Sequence, residues 1–358
     1  MKSINKFQLK YFIIFFLIVG CISTPKVFFK EPVDTKTKKI SIQKKRVFSF
    51  NESGVYFSNK FEGARLNNVN QLNDSTYILS ILPENKPIND SPYYAFKIWS
   101  SSTKKVLLKF QYPVNFKHRY IPKIKSNGIW KTADSLNFKF DDNLSSLTIK
   151  INDNPKTISG QELHTSSIVY NWVDQLISGK ESYIKFKEIG KTKLNRPFKV
   201  LDIYKGVPKN KPVIVILTRQ HPPEVTGYFA FKVFLNTILK ENKLSSIFLD
   251  KYRILAFPLM NPDGVDLGHW RHNAGGVDTN RDWSFYHQPE IKTTVQYITK
   301  VLKKNNSKLL LGLDFHSTYY DVFYTNEERK ETALPEFLPK WFSDLEKRIP
   351  NYKVNEKA

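Results

Sequence analysis

Between Arg46 and Ile158 the apolar positions come in short alternating runs: "RVFSF", "TYILSIL", "YYAFKIW", "KVLLKFQY", "LNFKFDD" and "SLTIKIN". Clusters of Asn, Asp, Gly and Pro part these runs at intervals of about ten residues. Alternation puts every second side chain on one face, so each run predicts a strand with one buried face. Six such runs at that spacing predict an antiparallel β-sandwich. From about Ser166 the rhythm lengthens. "SSIVYNWVDQLIS", "TGYFAFKVFLNTILKEN" and "PEIKTTVQYITKVLKKN" read as helices, while "PFKVLDIYK", "PVIVILT", "YRILAFPLM" and "KLLLGLDF" read as strands. Continuous apolar strands alternating with helices predict an α/β domain with a mixed, mostly parallel central sheet and helices on both faces. The expected architecture is that α/β domain preceded by an all-β sandwich domain.

The first segment, "MKSINKFQLKYFIIFFLIVGC", has Lys2, Lys6 and Lys10, an apolar run from Tyr11 to Val19, then Gly20 and Cys21. The run is too short to span a bilayer as a mature helix and reads as a secretory signal peptide over residues 1–20. Its end, "IVGC", resembles a bacterial lipobox, in which the cysteine is lipidated and becomes the new N-terminus. Cys21 is the single cysteine of the chain, so no intrachain disulfide can form. Lipid at Cys21 predicts an exported protein of the bacterial cell envelope, anchored to a membrane without a spanning helix. The alternative is an ordinary signal with an incidental cysteine. Residues 21–45 are polar, Lys-rich and punctuated by Pro, the composition of a tether. The expected division is therefore signal 1–20, tether 21–45, sandwich 46–160 and α/β domain 161–358.

Composition changes this picture little. A chain of 358 residues with 41% hydrophobic and 14% aromatic content can bury two cores and is not of the disordered class. The formal charge of +23, or +20 without the three signal lysines, admits nucleic acid, anionic lipid or acidic peptide as partners. The lysines are scattered, as in "KTKK", "QKKR" and "LKKNNSK", with no nucleic-acid module around them. They read as a solvated surface, and no nucleic-acid partner is expected.

Candidate chemistry gathers at three strand ends, where ligands of α/β sheets collect. In "RQHPPE", His221 and Glu224 are one turn apart and converge on one point if a helix begins near Pro222. Imidazole and carboxylate together suit zinc, although a surface His followed by a first-turn Glu has the same spacing. His316 follows the apolar run Leu309 to Phe315 and can bring a third ligand from another strand. Two His and one Glu leave a position open for water, as in a catalytic zinc site. Between them lies "PLMNPDGVDLGHWRHNAGGVDTNRDW", a turn "NPDG" followed by Arg271, Asp278, Asn280 and Arg281. An Asn-Arg pair can hold a carboxylate, Arg271 can face a developing oxyanion, and Asp278 can accept the free N–H of a ligating His.

In this order "HPPE", "NPDG", "HWRHN", "GVDTNRDW" and "DFHS" resemble the zinc metallocarboxypeptidases of the carboxypeptidase A-like family, over roughly Ser166 to Thr325. "VYFSNKFEGARLNNV" with "YYAFKIW" is similar to the β-domain that precedes the catalytic domain in the cytosolic-carboxypeptidase branch. The resemblance implies one zinc ion on His221, Glu224 and His316, and Arg271 as the oxyanion-stabilising arginine. It further implies Asn280 and Arg281 on the substrate's C-terminal carboxylate, Asp278 orienting His221, and peptide or protein C-termini as substrate. The family's general-base glutamate lies on a later strand, several tens of residues past the third ligand. Only 42 residues follow His316, and their glutamates, Glu327, Glu328, Glu331, Glu336, Glu346 and Glu356, close no apolar strand. The expectation is a domain incomplete at its C-terminus, with the base beyond residue 358. Two other readings are an aspartoacylase-like amidohydrolase and a non-catalytic envelope protein that binds zinc or carboxylate.

Overall fold

The computed structural model describes residues 33–141 and 144–358; the signal peptide, Cys21 and the first part of the expected tether lie outside them. Among the described residues eleven strands precede the first helix. They are β1 (Val47–Phe50), β2 (Val55–Ser58), β3 (Asn68–Asn73), β4 (Thr76–Ser80), β5 (Ala95–Ser100) and β6 (Lys104–Gln111). β7 (Lys123–Ser126), β8 (Ile129–Thr132), β9 (Phe138–Lys139), β10 (Ser146–Ile151) and β11 (Lys156–Ser159) follow. β6 shows what the alternation does: Val106, Leu108 and Phe110 are buried while Leu107 and Lys109 between them stay half-exposed. Two sheets result, ordered β1-β2-β5-β11-β7-β8 and β3-β4-β6-β10-β9, and their inward faces share one core around Phe57, Tyr77, Phe96 and Phe110. The sandwich is not wholly antiparallel as expected. β4 and β6 pair in parallel, Thr76 opposite Leu107, because the chain between them crosses to the other sheet as β5 and returns in the same direction.

The expected tether is in fact packed from Thr35 onward. Thr35 is fully buried and its carbonyl accepts from Gln288 Nε2 at 2.7 Å. Lys38 N donates to Gly275 O at 2.7 Å, Ser41 N to Glu84 O at 2.6 Å, and Gln43 Oε1 accepts from Leu66 N at 3.0 Å. Its composition reads as solvated because its polar groups bond to loops of the body instead of to a regular ladder.

The second part opens with α1 (Ser166–Ile177), β12 (Ile184–Lys191), β13 (Pro197–Ile203) and β14 (Val213–Thr218). α2 (Val225–Ile238), α3 (Lys243–Lys251), β15 (Arg253–Phe257), α4 (Pro262–Leu267), α5 (Pro289–Asn305) and β16 (Leu309–Phe315) complete the α/β layer. The sheet order is β12-β13-β15-β14-β16, with β14 parallel to both β15 and β16. β13 is antiparallel to both its neighbours, so it alone runs against the other four, and the sheet is mixed, with two parallel and two antiparallel pairings. One face packs on Val173, Phe231 and Leu249 of α1, α2 and α3, the other on Ile291 and Val301 of α5. The expected cover is thinner at β16, the edge strand, where Leu309 is 47% exposed. Beyond it, β17 (Phe323–Tyr324) and β18 (Glu356–Lys357), separated by α6 (Phe337–Arg348), form a small parallel pair where the sequence predicts no final strand.

Trp270 joins the two parts. It belongs to the loop after α4, yet it is fully buried in the sandwich core, edge-on to Phe116 at 5.2 Å. The carboxyl ends of β14, β15 and β16 meet beside that loop, so the three strand ends singled out by sequence share one edge.

Candidate metal centre

β14 is buried along its whole length and ends at Thr218, whose hydroxyl donates to Phe315 O at 3.2 Å, fixing its end against that of β16. Two prolines then hold the chain out of helix until Val225. The helix therefore starts later than the His-x-x-Glu spacing predicts, and a turn brings the pair together instead, with Glu224 N donating to His221 O at 3.3 Å.

His221, Glu224 and His316 have ligand atoms that all lie within 4.8 Å of one another. Glu224 stands between the rings: Oε1 is 2.8 Å from His221 Nδ1 and Oε2 is 2.7 Å from His316 Nδ1. The outer nitrogens are held too. His221 Nε2 meets Asp278 Oδ1 at 2.9 Å, and His316 Nε2 meets Asp314 Oδ2 at 2.7 Å. Each imidazole thus has a carboxylate at both nitrogens. A neutral ring with Nε2–H given to its aspartate turns a lone pair, not a proton, toward Glu224. Two lone pairs facing one carboxylate need positive charge among them, supplied either by two ring protons or by one divalent ion. Two nitrogens and a carboxylate, with the far nitrogens anchored by aspartates, fit zinc on this count.

The electrostatics agree. Burial opposes charging His316, but Asp314 and Glu224 outweigh it and push the ring up to about 10. For His221 burial is likewise outweighed, by Glu224 and Asp278, and the ring is held above its ordinary value. Burial would raise the Glu224 carboxyl, yet the two imidazoles hold it well below the usual carboxylate range. Asp278 is held down in the same way by His221 and Arg271 against its own burial.

The other site residues follow the second strand end. "NPDG" forms the first turn of α4 and not a free turn, since Asn261 caps it by accepting from Gly264 N at 2.9 Å and Pro262 needs no donor there. Asn261 Nδ2 also donates to Gln220 O at 3.2 Å, linking this strand end to the ligand loop. Arg271 Nε donates to Asp278 Oδ2 at 2.7 Å, so arginine, aspartate and His221 form one chain of contacts. Asn280 is half-buried and its Oδ1 accepts from Gln220 Nε2 at 3.3 Å. Arg281 lies next to it in the 3-10 turn Thr279–Arg281, exposed.

Three supporting residues escape sequence reasoning. Asp314 is two positions before His316, near the end of β16, and its carboxylate meets that ring, a spacing that could have revealed it. Gln220 donates to both Asp314 and Asn280 and accepts from Trp283 Nε1 at 3.1 Å. Glu84 comes from the sandwich. It is fully buried and accepts from three successive amides, Trp270 at 2.8 Å, Arg271 at 3.0 Å and His272 at 2.7 Å. Of the six later glutamates none joins the cluster: Glu346 accepts from Val354 N at 3.0 Å, Glu356 bonds to Thr325 and Arg329, and the other four are exposed.

Residues 169–340 match the model of the zinc carboxypeptidase family. Among curated proteins, cytosolic carboxypeptidase 3 of Mus musculus is 21% identical over 304 residues, covering 76% of this chain and 30% of that protein. Cytosolic carboxypeptidase 6 of Mus musculus is 24% identical over 193 residues, covering 49% of this chain and 35% of that protein. The chain thus spans about a third of the length of these relatives. The crystal structure of a metallo-carboxypeptidase from Burkholderia cenocepacia superposes with a TM-score of 0.70 at 14% identity, covering 85% of this chain and 83% of that one. That likeness extends across sandwich and α/β layer and establishes the fold.

Proposed function

From a chain whose residues 169–340 belong to the zinc carboxypeptidase family, we propose a zinc-dependent metallocarboxypeptidase that hydrolyses the C-terminal peptide bond of peptides or proteins. The observation that carries this reading is the convergence of His221, Glu224 and His316 within 4.8 Å, with Asp278 and Asp314 on the outer ring nitrogens. These three side chains would hold one zinc ion. When bound, zinc supplies a Lewis acid for the scissile carbonyl and lowers the pKa of a water. Asp278 and Asp314 keep Nε2–H on the rings, so that both Nδ1 atoms turn inward. Arg271, bonded through Nε to Asp278, brings positive charge to the developing oxyanion. Asn280 and the exposed Arg281 would take the substrate's terminal carboxylate by hydrogen bond and bidentate fork. The remaining parts of the reading are the sandwich domain over 46–160, the hydrolase domain over 161–358, and export with a lipid anchor at Cys21.

A second reading, zinc or carboxylate binding without hydrolysis, is favoured by the placing of the six later glutamates away from the cluster. One experiment separates the two. Zinc per chain is measured for residues 22–358 and for His316→Ala, while a set of peptides is followed by mass spectrometry for loss of one C-terminal residue. About one zinc in the parent and much less in the variant is the expected result, and cleavage by the parent but not the variant selects the hydrolase. Zinc uptake with intact peptides selects binding without hydrolysis for residues 22–358; a folded parent that takes up no zinc overturns both zinc readings.

A further inference from the structure

Where the sandwich meets the α/β layer, Gly63, Tyr93, Glu162, His164, Arg219 and Pro222 help to enclose a cavity of about 10 Å³. That is room for one water or one monatomic ion. Arg219, the residue after β14, is 2% exposed. Its Nη2 donates to Pro222 O at 2.7 Å, but its Nε and Nη1 are buried with no acceptor in the protein. Nearby, both ring nitrogens of His164 and the hydroxyl of Tyr228 are also buried and unpartnered. The three groups are mutual neighbours: the Tyr228 ring lies 5.3 Å from that of His164 and 5.7 Å from the Arg219 guanidinium.

This set is lopsided in charge and in donors. Burial, helped by the charges of Arg219 and Lys232, holds His164 down to about 3, so its ring is neutral and offers one N–H. Tyr228 offers an O–H, and Arg219 two N–H groups and a full charge. Glu162 lines the outer side of the cavity, but its carboxylate sits toward His164 Nε2 at 3.9 Å and Lys123 Nζ at 4.0 Å, with no contact to Arg219. A water could accept from the guanidinium but would leave it with no anion in contact, the Glu224 and Asp266 carboxylates acting on it only from a distance, which is costly in a low-dielectric site. A small anion answers both needs.

We propose that this cavity is a binding site for a single chloride-sized monovalent anion, held by Arg219 with His164 and Tyr228 as neutral donors beside it. The anion would brace the junction between the sandwich and the α/β layer, and through Pro222 O the loop that carries His221 and Glu224. The proposal does not rest on the catalytic reading, because Arg219, His164 and Tyr228, which would hold the anion, are not among the candidate metal ligands.

The test is thermal unfolding of the purified chain in sodium chloride, bromide and gluconate at constant ionic strength, together with crystals grown in bromide. The expected result is a saturable rise in Tm of about 2 °C on reaching tenfold the midpoint halide concentration, absent in gluconate. Tyr228→Phe should move that midpoint several-fold higher, and Arg219→Met should abolish the halide effect. Should Arg219→Met not fold, the wild-type titration and Tyr228→Phe still decide. An anomalous bromine peak against Arg219 Nε and Nη1 would locate the ion. Coincident halide and gluconate curves, or a water or the Glu162 carboxylate filling the cavity with no bromine signal, would overturn the proposal.

Discussion

Each imidazole of the candidate metal centre stands between two carboxylates, and that fixes how the site responds to protons. Without metal, His316 is pushed up to about 10, so its ring is charged at neutral pH, and His221 is held above its ordinary value. Their folded values lie above the unfolded one, so their contribution to metal-free stability is complete below about pH 6.5 and is lost as pH rises through the folded values. Glu224 and Asp278, held low, contribute above about pH 4 and lose that contribution as pH falls. Zinc would displace ring protons, so its affinity should rise with pH and binding at pH 7 should release about one proton or more. Calorimetry in buffers of different ionisation enthalpy measures the number, and a release near zero would refute this account. Gly227 gives a second residue-scale expectation. A Cβ added there would lie 2.7 Å from the His316 carbonyl carbon and nearer still to its oxygen, so Gly227→Ala must push the third ligand away from α2. Zinc affinity by chelator competition should fall about tenfold or more; an unchanged value would show that the loop yields without cost. The three residues of the candidate centre were legible in sequence because His-x-x-Glu and a strand-end His have characteristic spacings. Gln220 was not, since an amide beside a ligand has no spacing signature of its own.

At the scale of elements, the sequence pattern located the strands whose alternation is clean, as in β6 and β10, and the helices with a continuous apolar stripe. β12, "IKFKEIGK", escaped because lysines occupy alternate positions and only Ile184 is fully buried. β7 and β8 escaped for a related reason, having no fully buried residue. The loop that carries Arg271 was legible as chemistry, but its support was not: Glu84 is 187 positions away and belongs to the sandwich. Its carboxylate, with the Arg65 guanidinium at 3.8 Å, completes a buried ion pair as well as three amide bonds. Glu84→Gln leaves Arg65 buried without its counter-charge and should cost about 3–5 kcal/mol of stability. Chemical denaturation measures this, and a cost under about 1 kcal/mol would mean that water replaces the lost contacts.

For the whole molecule, Trp270 in the sandwich core and Glu84 under the Arg271 loop make the two parts one cooperative unit. Calorimetry should show a single unfolding transition, and Trp270→Ala should lower stability by about 3–5 kcal/mol. Two resolved transitions would contradict the coupling. The packed strap from Thr35 to Gln43 has a consequence for reach. Fourteen positions separate Cys21 from Thr35, and a fully extended chain of that length covers at most about 50 Å. With Cys21 held in a lipid leaflet, as proposed, the strap takes up chain that a free tether would have left as slack. The body is then leashed close to the bilayer, and the chain ends open to it are those that protrude into this shallow layer.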